Sequence, residues 1–350
     1  MSTVSTVNVV HMVVPDAVLD PGRPSGGNEY DRRLSEGLRA VGWRVDLVLV
    51  GWPGGAAGLP AVLDGMPDAA VVVVDGLIAV GYADVLLARA DRLRLVLLMH
   101  MAGVDEGAGA DQVTGRLAAA AAAVLTTSRW TAERLACWYP QIAGRIVPAV
   151  PGVDPAPLRP GGDGTALLCV AAVTGHKGQD LLVAALRLLS GLDWRCTVVG
   201  SLTRDPEFVS DLRAAIEAAG LAGRMDLVGI RTGVELESAY AAADLLVHPS
   251  RAESYGMVIA QALAHGVPVI AARVGGVVEA LGRAGDGTVP ALLVPADDAP
   301  ALAGAIRSWL TGPELRRRLI TAAADRRQTL PDWPATAATV ASVLASVAAA

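Results

Sequence analysis

Lys177 is the only lysine among the 29 basic side chains of this sequence, and it stands in the loop TGHKG, residues 174–178. An apolar run that predicts a strand precedes this loop, and a helical pattern follows from about Gln179. Flanking glycines let the backbone approach a ligand, and a helix N-terminus favours anions, so a compact ammonium group here suits a phosphate. An ordinary strand-to-helix turn with a solvated lysine is the alternative interpretation of this loop on its own.

A carboxylate, a glycine and an amide follow one another in ESYGMVIAQALAHG, residues 253–266. Glu253 lies in a loop after the apolar run ADLLVHPS, and the helix predicted from about Gly256 directs its unpaired first-turn N–H groups back at that loop. Gln261 lies one to two turns inside the helix, on a face that can reach the same place. Alternatively, Glu253 only complements the helix dipole, worth about 0.3–1 kcal/mol, and Gln261 is a solvated helix residue.

The elements that must position these residues are short apolar strands alternating with helical segments. Alternation of this kind predicts parallel sheets with helices on both faces, an α/β fold. Residues 148–164 contain five prolines and four glycines, which breaks the pattern. At 350 residues the chain exceeds one comfortable core. We therefore predict two doubly wound, Rossmann-like domains facing each other across a cleft, with ligands bound beyond the carboxyl ends of the strands.

Composition limits the classes of partner. The net charge of −6 gives no electrostatic reason to expect nucleic acid, and allows at most peripheral membrane contact. The three cysteines and five histidines lack metal-ligand spacing, which predicts buried thiols and no metal. No signal peptide or membrane-spanning run is recognised, so we expect a cytoplasmic protein. His100, at the end of LRLVLLMH, taken alone reads as a hydrogen-bonded core residue.

The run ADLLVHPSRAESYGMVIAQALAHGVPVIAARVGGVVEAL resembles the family 4 group of GT-B glycosyltransferases, whose signature is a strand, PS, E-x7-E, and then GxPVxA and GGxxE. Further similar segments are SGGNEYDRRLSEGLRAVGWRV, LLMH, SRWTAERL, PGVD and HKG, so nearly the whole chain is covered. The resemblance implies a retaining hexosyltransferase that uses a nucleotide diphosphate sugar as co-substrate and needs neither cofactor nor metal. Its acceptor would be a small molecule, a glycan or a lipid.

The resemblance also implies roles for particular residues. Lys177 would meet the donor diphosphate, Glu253 the hydroxyls of the transferred sugar, and Gln261 the nucleotide ribose, while His100 would lie on the acceptor side. The other implied donor-binding residues are Gly26, Gly27, Gly178, Gly229, Ser254, Tyr255, Gly256 and Met257. The expected domains are 1–155 on the acceptor side and 156–332 on the donor side, with a helix at 333–350 that packs back on the first.

Two departures from the family pattern leave other functions open. Ala172 stands where the family has an arginine, and a lost donor of this kind costs roughly 2.7–4 kcal/mol unless another cation, such as Arg251 or Arg273, compensates. Gln261 replaces a glutamate and offers one acceptor fewer. A sugar phosphorylase of the same architecture, or a catalytically weak nucleotide-sugar binding protein, are the alternatives. A dinucleotide oxidoreductase is disfavoured, because no GxGxxG follows the first strand.

Overall fold

The structure is a computed structural model that describes residues 8–52, 58–101 and 108–350, and of residues 108–111 the backbone only. The chain divides into two compact units. The first comprises residues up to Gly152 together with Pro331–Ala350, and the second comprises Val153–Leu330. Each unit is built around its own parallel sheet.

The first unit contains six strands and seven helices among its described residues. The strands are β1 (Val9–Pro15), β2 (Arg44–Val50), β3 (Val71–Asp75), β4 (Arg94–Met99), β5 (Ala123–Thr126) and β6 (Ile146–Pro148). The helices are α1 (Gly26–Ala40), α2 (Leu59–Asp64), α3 (Gly76–Gly81), α4 (Ala83–Leu87), α5 (Ala108–Ala120), α6 (Arg129–Trp138) and, at the end of the chain, α14 (Trp333–Ala349).

All six strands of the first unit pair in parallel, in the order β2-β1-β3-β4-β5-β6. The central strands β3 and β4 are buried along nearly their whole length, which explains why they read as continuous valine and leucine runs. Tyr30, Leu34 and Leu38, spaced four apart in α1, are buried as the sequence predicted. Helix α14 packs on α1 at Gly37, where a Cβ would come within 2.7 Å of the Ala337 Cβ.

The second unit contributes the remaining elements. Its strands are β7 (Ala166–Val170), β8 (Arg195–Val199), β9 (Met225–Gly229), β10 (Leu245–His248), β11 (Val269–Ala272) and β12 (Ala291–Val294). Its helices are α7 (Gln179–Arg187), α8 (Pro206–Ala218), α9 (Gly233–Ala242), α10 (Met257–Ala264), α11 (Val277–Leu281), α12 (Ala299–Thr311) and α13 (Pro313–Arg326). The described residues of both units also form four 3-10 turns, at Asp16–Leu19, Pro140–Arg145, Gly175–Lys177 and Arg327–Thr329.

The second sheet is also parallel, in the order β12-β11-β10-β7-β8-β9. Chain order reverses between β7 and β10, which are neighbours in the sheet, and ligands in such sheets bind at this switch point. Trp194 and Trp309 are fully buried in the core. The indole N–H of Trp194 donates to the backbone oxygen of Leu189, and that of Trp309 donates to the backbone oxygen of Gly164. The prediction of two Rossmann-like doubly wound sheets is confirmed.

The division between the units differs slightly from the predicted boundaries after 155 and 332. Gly152 packs so closely on the last segment that a Cβ there would lie 2.2 Å from the Trp333 nitrogen. This contact keeps residues up to 152, together with residues 331 and 332, in the first unit. Within the described residues, no helix combines the length and the apolar composition that a bilayer crossing requires.

Candidate functional site

Two loops meet at the switch point of the second sheet, one after β7 and one after β10. Gly178 ends the 3-10 turn of the first loop with φ +72°, and a Cβ there would lie 2.2 Å from the carbonyl oxygen of Pro249 in the second. Both the left-handed conformation and the close approach require glycine. The approach brings Lys177 beside the loop that carries Glu253.

One oxygen of Glu253 lies between two basic side chains. Lys177 Nζ donates to Glu253 Oε2 over 3.0 Å, and His248 Nε2 lies 3.2 Å from the same oxygen. The side chains of Lys177, Glu253 and His248 are 22%, 16% and 3% exposed. The sequence placed Lys177 and Glu253 near one another but missed His248. The sequence feature that could have indicated His248 is its position at the end of a buried strand, five residues before Glu253.

The two basic neighbours set the charge of Glu253. Burial is the largest single influence on its pKa and raises it, but the Lys177 charge and the His248 contact together outweigh burial. The pKa of Glu253 therefore lies well below its usual range. Glu253 is a carboxylate throughout the working pH range, with Oε2 engaged.

Two glycines after β11 hold the Glu253 loop in place. A Cβ on Gly275, whose φ is +50°, would lie 1.7 Å from the Glu253 carbonyl oxygen, and one on Gly276 would lie 2.0 Å from that of Ser254. The Gly276 N–H donates to the backbone carbonyl oxygen of Glu253 over 3.0 Å. No other residue fits at these positions without moving the loop. The GG of the sequence motif thus positions the backbone of the carboxylate.

Helix α10 begins directly after this loop. Gly256 caps it with φ +98°, and the N–H groups of Tyr255, Gly256 and Met257 donate no hydrogen bond to a described residue. These amides and the positive end of the helix dipole remain for an anionic ligand. Gln261, half-buried one turn further on, accepts a hydrogen bond from the Tyr240 hydroxyl over 3.0 Å through Oε1, which leaves its amide N–H groups.

Three buried polar atoms without a hydrogen-bond partner among the described residues lie at the same strand ends. Gln179 Oε1, Ser250 Oγ and Ser254 Oγ are buried and make no hydrogen bond to a described residue. Buried polar atoms are normally paired, and an unpaired group needs a reason such as a site for another molecule. Three such atoms at the two loops support a ligand site there.

The two expected helper cations differ in their surroundings. Arg251 is already neutralised: its guanidinium donates to Asp180 over 2.7 and 2.9 Å and to Asp297 over 2.6 Å. Hydrogen bonds to Asp180 are the main cause that raises the pKa of Arg251. This arginine therefore fastens the two loops together and is not a free cation. Arg273, directly after β11, is exposed and makes no ion pair with a described residue.

The other donor-binding positions predicted in the second unit lie at strand ends. Gly229 ends β9 with φ +74°, beside an irregularity in the pairing of β8 with β9. Ala172, which stands where the family has an arginine, follows β7, and its carbonyl oxygen accepts from Gln179 Nε2 over 3.0 Å. The methyl group of Ala172 supplies no cation.

In the first unit, His100 follows β4 and is held by two buried carboxylates. Its Nε2 lies 2.9 Å from Asp31 Oδ1 and 3.2 Å from Asp75 Oδ2. Gly27 packs on the imidazole, since a Cβ there would lie 3.4 Å from Cδ2, while Gly26 is exposed as the first residue of α1. Asp31 and Asp75 were missed from the sequence, because nothing in the spacing of α1 and β3 indicated that both acids approach one histidine.

This trio is also the one group of described residues whose potential metal-ligand atoms all lie within 4.8 Å of one another. The 2.9 Å contact between Asp31 and His100 Nε2 has the geometry of a hydrogen bond. When Nε2 carries the proton of this bond, the nitrogen has no lone pair for a metal. The arrangement is that of a hydrogen-bonded histidine between two carboxylates.

Solved structures share the fold along almost the whole chain. Sucrose-phosphate synthase from Thermosynechococcus elongatus aligns with a TM-score of 0.81 and 22% identity, covering 98% of this chain and 99% of that one. The Anabaena protein Alr3699/HepE, solved in complex with UDP-glucose, aligns with a TM-score of 0.77 and 20% identity, covering 97% and 99%. At these identities the likeness shows the fold alone, which is GT-B with its two Rossmann-like domains.

Sequence relatives carry the comparison further for part of the chain. D-inositol 3-phosphate glycosyltransferase 1 of Catenulispora acidiphila is 32% identical over 266 residues, which cover 67% of this chain and 62% of the relative. The chain thus spans about three fifths of the length of that curated relative. Residues 154–326, nearly all of the second unit, match the family described as glycosyl transferases group 1. The second unit of this chain is therefore similar to the group 1 glycosyltransferases over nearly its whole length.

Proposed function

We propose that the protein is a retaining glycosyltransferase that moves a hexose from a nucleotide diphosphate sugar to a small-molecule, glycan or lipid acceptor. The observation that carries this proposal is the Lys177–Glu253 pair at the switch point of the second sheet, beside the unpaired amides that open α10. The second unit binds the donor, and the first unit receives the acceptor. The complexes of Alr3699/HepE with UDP and UDP-glucose support a nucleotide-sugar donor.

The reaction breaks the bond between the anomeric carbon and a diphosphate oxygen and forms one from that carbon to an acceptor oxygen. The proton of the acceptor hydroxyl passes to the departing diphosphate. Negative charge gathers on the departing diphosphate, where Lys177 and the α10 amides of Tyr255, Gly256 and Met257 stabilise it. When Lys177 pairs with the diphosphate instead of Glu253, the Glu253 carboxylate can accept hydrogen bonds from hydroxyls of the transferred sugar. Gln261 holds the nucleotide ribose. In this proposal no step needs a metal.

The test is a thermal-shift panel of UDP, GDP, ADP and their common sugar conjugates on the wild type and on Lys177→Ala. A ligand that binds only the folded state, at 100 times its dissociation constant, stabilises by about 2.7 kcal/mol. We expect one nucleotide to stabilise the wild type and to stabilise Lys177→Ala much less. Arg213→Ala, which removes an exposed charge from α8, is the matched control and should behave as the wild type.

Three outcomes would replace the proposal. Stabilisation by no nucleotide would refute the donor site. Donor binding without turnover, over a range of acceptors, would make the protein a nucleotide-sugar binding protein, as the absence of an arginine at Ala172 allows. Release of a sugar phosphate that depends on inorganic phosphate would make it a phosphorylase.

A further inference from the structure

His100 is surrounded by acidic groups that share a single ring nitrogen. Asp31 from α1 and Asp75 from the end of β3 both approach Nε2, and their side chains are only 1% and 3% exposed. Two ionised carboxylates share one nitrogen favourably only if it carries a proton, because a bare nitrogen would repel both. Nε2 is therefore the N–H side of the ring.

The carboxylate of Asp75 is fixed from behind by a helix. Its Oδ1 accepts from the N–H groups of Leu77 over 2.7 Å and of Ile78 over 3.3 Å, as the cap of α3. This leaves Oδ2 for the imidazole. Asp31 adds a second acceptor, so the electric field of two anions acts on a ring that is 15% exposed. Such a field favours the doubly protonated ring.

The charge balance around the ring supports this state. Burial is the largest influence on the pKa of His100 and lowers it, but Asp31 and Asp75 together raise it to about 10. Burial likewise raises the pKa of Asp31, to about 6, against the opposing influence of His100. Tyr30, which packs edge-on to the ring at 5.3 Å, has a pKa raised by burial and stays neutral. These are the titratable groups of the described residues that face the ring.

We propose that Asp31 and Asp75 are positioning residues that hold His100 as an imidazolium, so that its Nδ1–H donates to an oxygen of the bound substrate and never acts as a base. This proposal rests on the proposed function, since it assigns how the first unit meets substrate. Nδ1 makes no hydrogen bond to a described residue. The ring is thus a donor with one N–H bound by two carboxylates and the other without a partner among the described residues.

The charge of the cluster also selects the kind of oxygen. One imidazolium and two carboxylates sum to one negative charge, so the cluster does not attract a phosphate or carboxylate group. Nδ1–H suits an uncharged oxygen, such as a sugar hydroxyl, which accepts a charge-assisted hydrogen bond. His100 consequently cannot take the proton of the acceptor hydroxyl.

The first test measures the charge of His100 without any substrate. Protein with 13C at histidine Cε1 is titrated by NMR, and the His100 signal is assigned by its loss in His100→Gln. We expect the wild-type signal to stay that of an imidazolium from pH 6 to pH 9, with a midpoint near 10. Asp31→Asn should lower the midpoint by about 1–3 pH units, because one anion within hydrogen-bonding distance is removed.

The matched control for this titration is Asp46→Asn. Asp46 lies 3.8 Å from His11 in the same unit, so the substitution removes a carboxylate beside another histidine and should leave the His100 midpoint unchanged. Asp75→Asn is a second variant that keeps an oxygen for the α3 amides. A wild-type midpoint near 6.5, or a midpoint that neither Asp31→Asn nor Asp75→Asn moves, would overturn the proposal.

The second test follows transfer, once a donor and an acceptor are in hand. In Asp31→Asn, kcat/KM should fall as the pH rises through the lowered His100 midpoint, whereas the wild type shows no such fall below pH 9. His100→Gln, which keeps a donor, should retain more activity than His100→Phe. A rise of the Asp31→Asn rate with pH would instead identify a base. The titration tests the charge of His100 without substrate, and the transferase assay tests the proposed function. A failed transferase assay therefore does not invalidate the titration, and the two proposals can be refuted separately.

Discussion

Replacement of Glu253 by glutamine should tighten the binding of a nucleoside diphosphate while slowing transfer. In the free protein the Glu253 carboxylate is paired with the Lys177 ammonium group at 3.0 Å. A diphosphate must therefore compete with Glu253 for the ammonium group. Glutamine keeps the shape of the side chain but removes the charge that holds Lys177. It also removes a negative charge beside the site of the diphosphate. Both effects favour the nucleotide.

The size of the gain follows from the geometry of the pair. Unit charges 3.0 Å apart attract by about 5–6 kcal/mol at an effective dielectric constant of 20, and desolvation and side-chain ordering offset most of this attraction. A charged hydrogen bond retains a net value of about 1.5–3 kcal/mol. The glutamine side chain still accepts a weak hydrogen bond from Lys177. We therefore expect the free energy of nucleotide binding to become more favourable by about 1–2 kcal/mol, which lowers Kd about 5–30-fold.

The assay is calorimetric titration with the nucleotide that stabilises the wild type. Glu253→Gln should bind the nucleoside diphosphate more tightly but gain less with the sugar conjugate, because contacts to sugar hydroxyls are lost. In a Lys177→Met background the same substitution should lose most of its effect. Glu237→Gln, which removes another glutamate paired with a buried histidine at 2.9 Å, is the control and should change nothing. Equal or weaker nucleotide binding by Glu253→Gln would refute the competition between carboxylate and diphosphate.

The remaining predictions concern the ribose, the loop and pH. Gln261→Glu should tighten nucleotide binding several-fold, because a carboxylate can accept from both ribose hydroxyls; calorimetry that shows weaker binding would remove the ribose assignment. Gly275→Ala should lower the thermal midpoint by several degrees and abolish nucleotide binding, since its Cβ would lie 1.7 Å from the Glu253 oxygen; Gly287→Ala, at φ +85° with open space, controls for backbone strain alone. The raised pKa of His100 stabilises the fold below pH 6.5, and this stabilisation is lost as the pH rises to about 10. The wild type should therefore unfold at a higher temperature than His100→Gln at low pH, and this difference in thermal midpoint should shrink as the pH rises through that window. An advantage that stays constant would contradict the charge assigned to His100.

The sequence predicted the sheets and the position of Lys177, because both depend on local pattern. Buried parallel strands read as apolar runs, and a lone lysine between glycines after such a run stands out without knowledge of the fold. The sequence did not predict that His248 and Lys177 meet on one oxygen of Glu253. That contact depends on β7 and β10 being neighbours in the sheet, which chain order conceals. Residues brought together by a crossover leave no periodic signal.

The same limitation explains the two aspartates around His100. Asp31 lies in the interior of an amphipathic helix and Asp75 at the end of a valine run, positions where an acid usually faces water or caps a helix. Asp75 does cap α3, and its second role follows only from the pairing of β3 with β4, which places it beside the residue after β4. A carboxylate with one oxygen on a helix N-terminus and the other on a histidine cannot be read from either element alone.

The contacts of the second unit also bear on Ala172. Arg251 cannot replace the arginine absent at that position, since Asp180 and Asp297 already neutralise it, and Lys177 is paired with Glu253. Arg273 differs, because its guanidinium makes no ion pair with a described residue and it stands directly after β11, the strand that pairs with β10 in parallel. Carboxyl ends of parallel neighbours open on the same edge of a sheet, so this cation lies at the edge that holds the Lys177–Glu253 pair. The charge that stabilises a leaving diphosphate would then come from the exchange of Lys177 between Glu253 and the phosphate, supplemented by Arg273, rather than from two fixed cations.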